Sequence, residues 1–344
     1  MRACARLLGI VAVAGGLAAL PACGGGKTSG GKPRVAVVTN NPELFWTICE
    51  SGATQAGKDL DVEVTFRKPE KGDVPIQMDI INALVRQGYD GIAVSVIDAQ
   101  NQTPDLKRIA KETTLITMDS DAPESGRICF VGVDNYEAGK SAGRLVKQSL
   151  PDGGTVAVFV GQMSGDNARQ RFQGVVDELA GQKDAKGAQL GKYTLFRGEA
   201  ITDNSNREQA QNNTRQVLET IGGQPNVCLV GLYAYNPPAI LEAAKSKGLA
   251  GKVKIVGFDE DEKTLAGIEA KEITGTVVQD PYGYGYKSVE ILAAEAKGDH
   301  SKRSGTNVPH RLVTADGTAP AGESVQSMTV STFRADFAAK TGKK

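Results

Sequence analysis

From Arg34 onward, short apolar runs alternate with longer segments whose apolar residues recur every three or four positions. RVAVVT (34–39), VEVTF (62–66), GIAVSV (91–96), TLITM (114–118) and ICFVGV (128–133) read as strands. They are nearly continuous in apolar residues, as strands covered on both faces must be. The spacing predicts helices over 45–58, 76–86 and 102–112 between them. The pattern then repeats, with strands at 155–160, 194–198, 227–232, 253–258, 274–279 and 311–314. The matching helices are expected over 137–148, 167–179, 207–221, 239–247, 263–270 and 282–297, with a last one at 331–339. Strict alternation implies right-handed βαβ crossovers and parallel sheets. Two such units in 344 residues predict an α/β protein of two doubly wound, parallel-sheet lobes.

Ligands of open parallel sheets bind outside the carboxyl ends of the strands, so the residues just after each strand are the informative ones. Asn40-Asn41-Pro42-Glu43-Leu44-Phe45-Trp46 follows the first strand. Phe45 and Trp46, the sole Trp in a chain only 5% aromatic, suit stacking on the C–H faces of a ring. Glu43 is a candidate beside them. Asp119-Ser120-Asp121 follows the fourth strand, and Asp119 and Asp121 are both candidates to accept hydrogen bonds from neighbouring hydroxyls. A site built on buried carboxylates rejects ligands that lack those hydroxyls. The run from Asp134 ends in Gly139-Lys140-Ser141, but position 134 is not the glycine a phosphate loop requires. It reads as a helix start capped by Asp134 or Asn135, with Gly139 and Gly143 permitting close packing. In the second unit Arg169 and Arg171 are two apart on a helix and cannot both face a cleft. Asp203, Tyr235-Asn236, Asp259 and Gln279-Asp280 each stand at a strand exit.

Lys+Arg and Asp+Glu are both 40, so no net charge draws the chain to nucleic acid or to an acidic membrane. Its first residues carry Arg2 and Arg6 and then an apolar run, Leu7 to Leu20, too short to span a bilayer comfortably. Residues 1–22 are expected to be a signal peptide. Leu20-Pro21-Ala22-Cys23 looks like a lipobox, which implies a diacylglycerol on the Cys23 sulfur; residues 23–33 would be the lipidated Cys and a flexible Gly/Ser tether. Cys49, Cys129 and Cys228 each sit in an apolar stretch with no CxxC spacing. They are expected to be buried free thiols, or two of them a disulfide. His300 and His310 have no partner at metal-ligand or triad spacing, and Asp119-Ser120-Asp121 lacks the rest of a calcium loop. No metal and no cofactor are expected.

The motifs NNPELFW, MDSDAP, VGVDNYEAGKSAG, NARQRFQGV, IVGFD and GTVVQDPYGYG together make the chain resemble the ribose-binding-like periplasmic binding proteins of ABC importers, of type I fold, from about Arg34 to Thr314. The resemblance implies two lobes joined by a three-strand hinge, with crossings near Val133–Asn135, Gln279–Asp280 and Val308–Arg311. Each lobe would be discontinuous: 34–134 plus 280–308, and 135–279 plus 309–344. It implies that Phe45 and Trp46 stack on a sugar and that Asp119 binds hydroxyls. It also implies that Arg171 rather than Arg169 contacts the ligand, and that Tyr235, Asn236, Asp259 and Gln279 complete the site. The chain departs from ribose binders where Glu43-Leu44 precedes the aromatic pair, where Ser120 replaces their Arg, and where Tyr235-Asn236 replaces their Asn-Asp. Arginine is lost and carboxylate gained, which argues against ribose itself and against sugar phosphates. A larger or differently hydroxylated sugar, or a polyol, fits better.

The expectation is therefore an exported, monomeric lipoprotein, periplasmic or at the cell surface and anchored to the membrane by Cys23. It would capture a sugar or polyol and deliver it to an ABC permease without chemistry. The same module handing its closed form to a chemoreceptor or histidine kinase is the alternative. A transcriptional regulator of this fold would need a helix-turn-helix where the export segment stands. A glycosidase would use paired carboxylates such as Asp119 and Asp259, but the resemblance points to hydrogen bonding.

Overall fold

The computed structural model describes residues 31–304 and 307–341; the expected signal peptide and Cys23 lie outside them. β1 (Arg34–Val38), α1 (Phe45–Leu60), β2 (Glu63–Arg67), α2 (Val74–Arg86), β3 (Gly91–Val94), α3 (Ala99–Ile109), β4 (Thr114–Met118) and β5 (Phe130–Val131) alternate as the periodicity predicts. Their strands form one parallel sheet, ordered β2-β1-β3-β4-β5. Then come α4 (Asn135–Ser149), β6 (Gly154–Val160), α5 (Asp166–Ala180), β7 (Gln189–Leu190), β8 (Tyr193–Leu195), β9 (Ile201–Thr202), α6 (Arg207–Ile221) and β10 (Val227–Gly231). The chain continues through α7 (Asn236–Ser246), β11 (Lys254–Phe258), α8 (Glu262–Glu269), β12 (Gly275–Val278), α9 (Pro281–Ala296), β13 (Arg311–Thr314), β14 (Ser327–Thr329) and α10 (Val330–Thr341). These strands build a second sheet, ordered β14-β13-β12-β11-β10-β6-β8-β7, with β9 on the end of β6.

α9 leaves the second sheet and packs on α1, β1, β3 and β4 of the first. The chain thus passes between the sheets three times: after β5, after β12 and before β13. The Val308 amide donates to the Gly132 carbonyl at 2.9 Å, and the Val133 amide to the Tyr284 hydroxyl at 3.1 Å. These bonds tie the first crossing to the third and to the start of α9.

The sheets are not wholly parallel. β13 runs antiparallel to β12, because the segment between them detours through α9 on the other sheet, and β7 pairs antiparallel with β8. The strand expected at 128–133 makes a ladder only over Phe130–Val131, since the Gly132 carbonyl turns to Val308. The strand expected at 194–198 stops at Leu195, before Arg197 (φ 59°) and Gly198 (φ 72°) take left-handed backbone.

Val35, Val37, Ile116, Val156, Val158 and Val230 are wholly buried between the helix layers, each contributing about 1.5–3 kcal/mol relative to exposure. Cys49, Cys129 and Cys228 are buried free thiols. Glycines set how closely the helices approach. A Cβ on Gly139 would lie 2.2 Å from the Arg171 carbonyl oxygen, and one on Gly174 2.2 Å from that of Tyr136. α4 and α5 therefore touch along their backbones, a contact no larger residue allows. That approach carries the first turn of α4 to the side chain of Arg171.

Candidate functional site

A cavity lies across the strand exits of β1 and β4 in one sheet and β6, β10, β11 and β12 in the other. It holds about 380 Å³ of empty space, part of it open to solvent. A wider depression of about 960 Å³, open to solvent, lies just past β4 and β5 along the first crossing, lined by Asp121, Arg127, Asp134 and Asn307.

The turn after β1 builds the first wall. The Asn41 carboxamide oxygen accepts from the Trp46 indole N–H and from the Glu43 amide, both at 3.0 Å, which pins the indole. Phe45 meets Trp46 edge-on, with centroids 4.9 Å apart and planes at 87°. Trp46 is 2% exposed, so it is core and wall at once. Glu43 lines the cavity, while Leu44 beside it is 68% exposed and turned to solvent.

Asp119 stands just past β4 with left-handed backbone, φ 59°. Its Oδ2 accepts from the Ser95 hydroxyl at 3.0 Å and from the Asn167 amide at 3.2 Å; Arg171 Nη2 lies 3.6 Å from Oδ1. Burial pushes its pKa up, against the pull of Arg171 and the Ser95 bond. Asp259 stands just past β11, also left-handed at φ 63°, and its Oδ1 accepts from Gln279 Nε2 at 2.9 Å. Burial raises its pKa to about 6, again opposed by Arg171 and Gln279.

Arg171 links these groups. Its Nε donates to Asn135 Oδ1 at 2.8 Å, Nη1 to the Leu232 carbonyl at 3.0 Å, and Nη2 to Gln279 Oε1 at 2.8 Å. The guanidinium carbon sits 4.6 Å from the centroid of the Phe258 ring. Only 2% exposed, it is a fixed cation between two carboxylates. Arg169 is exposed and donates to the Ser164 carbonyl at 2.6 Å, away from the cavity.

Eight expected residues therefore line one cavity: Glu43, Phe45, Trp46, Asp119, Arg171, Tyr235, Asp259 and Gln279. Two do not. Asp121 is turned away from it and held by Arg127, whose Nε and Nη2 each donate at 2.5 Å, and by the Thr117 hydroxyl. Asn236 is wholly buried behind the wall, donating to Asp203 Oδ2 at 2.9 Å and accepting from the Tyr233 amide. Asp203 also accepts from the Tyr235 hydroxyl at 2.5 Å, and its own burial raises its pKa to about 6. Asn41, Asn167 and Tyr233 line the cavity without having been singled out. Asn167 precedes Arg171 by four residues, hence lies on the same helix face; that spacing was the available signal. Among the described residues, no group of three or more His, Cys, Asp or Glu could hold a metal ion.

Two doubly wound α/β lobes meeting over one cavity are the architecture of type I periplasmic binding proteins. By sequence the chain belongs to the periplasmic binding protein domain family, whose model matches residues 35–300. It is 25% identical over 275 residues to the D-allose-binding periplasmic protein of Escherichia coli (strain K12), covering 75% of this chain and 82% of that one. It is 25% identical over 299 residues to the xylitol-binding protein of Mycolicibacterium smegmatis, covering 85% and 79%. Among solved structures, an ABC transporter solute binding protein from Burkholderia graminis in complex with D-arabinose superposes with a TM-score of 0.75 at 23% identity, covering 87% of this chain and 99% of that one. That last likeness is one of fold.

Proposed function

We propose that this protein captures one sugar or polyol molecule between its lobes and presents it to an ABC importer. The single observation that carries the reading is the convergence of Asp119, from one sheet, with Arg171 and Asp259, from the other, on one cavity walled by Phe45, Trp46 and Tyr235. Carboxylates accept from hydroxyls, the Arg171–Gln279 network holds them in place, and aromatic rings cover the C–H faces of a ring or carbon chain. A ligand touching both lobes favours the closed state by its differential affinity, the three crossings serving as the hinge. The excess of carboxylate over the one buried guanidinium disfavours phosphorylated and acidic sugars. The named ligands of the relatives, D-allose and xylitol, support the class. Cys23, lipidated after cleavage, would tether the protein to the membrane that carries its permease.

A thermal-shift panel of pentoses, hexoses, deoxysugars, inositols and linear polyols tests this, with amino acids and nucleosides as controls. A cognate ligand at 100 times its dissociation constant adds about 2.7 kcal/mol. Stabilisation by amino acids or nucleosides alone would keep the fold and sink the sugar assignment.

A further inference from the structure

Gln279 separates the ligand cavity from a second enclosed space of about 370 Å³ at the crossings. Ile48 of α1 and Tyr282 of α9 wall it from one lobe, Arg311 of β13 and Phe333 of α10 from the other. Glu260, the residue after Asp259, borders this space, and neither of its buried carboxyl oxygens has a hydrogen-bond partner in another residue. The cations nearby are engaged elsewhere. Lys340 of α10 pairs with Asp280, the cap of α9, and Arg311 faces Asp336 at 3.9 Å. The Tyr282 hydroxyl forms no bond to Glu260. The strongest charge acting on Glu260 is that of Asp259, which is negative. A desolvated carboxylate with no donor from another residue and no free cation does not stay ionised; it takes a proton.

We infer that Glu260 carries a proton when the lobes are closed and gives it up when they part, so that closure takes up one proton from solvent. Ile48 and Tyr282 travel with the first lobe, so parting admits water to the Glu260 carboxyl. Burial, reinforced by Asp259, holds its pKa well above the carboxylate range in the closed form. The pKa is thus higher closed than open. The contribution to closure is complete below the open-form pKa and is lost as pH rises through the closed-form pKa. Affinity falls with rising pH. This inference rests on the closing motion proposed above and not on the identity of the ligand.

The test follows the ligand-free full chain and its Glu260→Gln variant from about pH 5 to about pH 9 by small-angle scattering and Trp46 emission. The wild type should expand and its emission shift as pH rises, while the variant, permanently neutral at 260, should show only the smaller change that Asp259, whose buried pKa is about 6, leaves at the acid end. Identical profiles in both proteins, or a flat wild-type profile in a protein that sugar compacts, overturn the proton link and leave the closing motion standing. A radius of gyration that neither pH nor any sugar of the panel changes refutes both. Should the variant fail to fold, calorimetry of wild-type sugar binding in two buffers of different ionisation enthalpy reads the proton directly. Uptake of about one is expected, and uptake of none overturns the inference.

Discussion

Asp119 and Asp259 hold the same place in two different sheets. Each is the first residue past its strand, each adopts left-handed backbone (φ 59° and 63°), and each amide is anchored to the neighbouring strand, at the Val131 and Val277 carbonyls. Arg171 lies between them. Left-handed backbone costs a non-glycine residue about 1–3 kcal/mol, and Asp tolerates it better than most. In return each carboxylate is aimed across the strand ends into the one cavity. The same strained turn used twice makes a site that both lobes share.

Asp121 separates cavity from scaffold. Asp121→Ala breaks the paired bonds from Arg127 and should cost about 1–3 kcal/mol of stability while leaving ligand affinity unchanged. Asp119→Ala should do the reverse. Denaturant melts alongside ligand titrations of both variants decide this, and a loss of affinity in Asp121→Ala would return that residue to the site.

Arg171→Leu should be strongly destabilising, by about 3–5 kcal/mol, because it leaves Asp119 and Asp259 buried without their cation. Combining it with Asp119→Asn and Asp259→Asn should recover part of that loss. If the triple variant melts no higher than the single one, charge balance is not what Arg171 supplies.

The packing of α4 on α5 bears on the site as well. Gly139→Ala places a methyl where only 2.2 Å separates it from the Arg171 carbonyl oxygen. A cost of about 1–3 kcal/mol is expected, with weaker ligand binding because Asn135 and Arg171 move apart. A melt and affinity equal to wild type would show that the helices can separate freely.

Ligand-free stability should also depend on pH through Asp259. Its pKa is raised from 3.8 unfolded to about 6 folded. The folded state is therefore unpenalised below about 3.8 and loses stability as pH rises to about 6, where the full penalty, on the order of 2–3 kcal/mol, has set in. Asp259→Asn lacks that penalty. Its stability advantage over wild type should open between those two values and stay constant above them. An advantage that is the same at both ends would contradict the buried, ionised state of Asp259.

Much of this was legible in the chain. Strand exits are where parallel sheets bind ligands, so reading the residues after β1, β4, β10, β11 and β12 found most of the cavity wall. What stayed hidden is conformational. Asp119 and Asp121 are two residues apart and chemically identical, and only the left-handed turn at Asp119 sends one to the cavity and the other to Arg127. Tyr235 and Asn236 are split the same way, by the start of α7. β7, β9 and β14 are two or three residues long, too short to carry a period. The antiparallel β13 follows from a detour through the other lobe, which periodicity does not encode.

The most direct measurement is titration of the wild type and of Asp259→Ala with D-allose, xylitol and the remaining sugars and polyols, followed by Trp46 emission. One of them should saturate the wild type with a shift in emission, and Asp259→Ala should fold normally yet bind it roughly 10- to 150-fold more weakly, the worth of about 1.5–3 kcal/mol of charged hydrogen bonds. Equal affinity in the two proteins would contradict the proposal that Asp259 and Asp119 hold the ligand between the lobes.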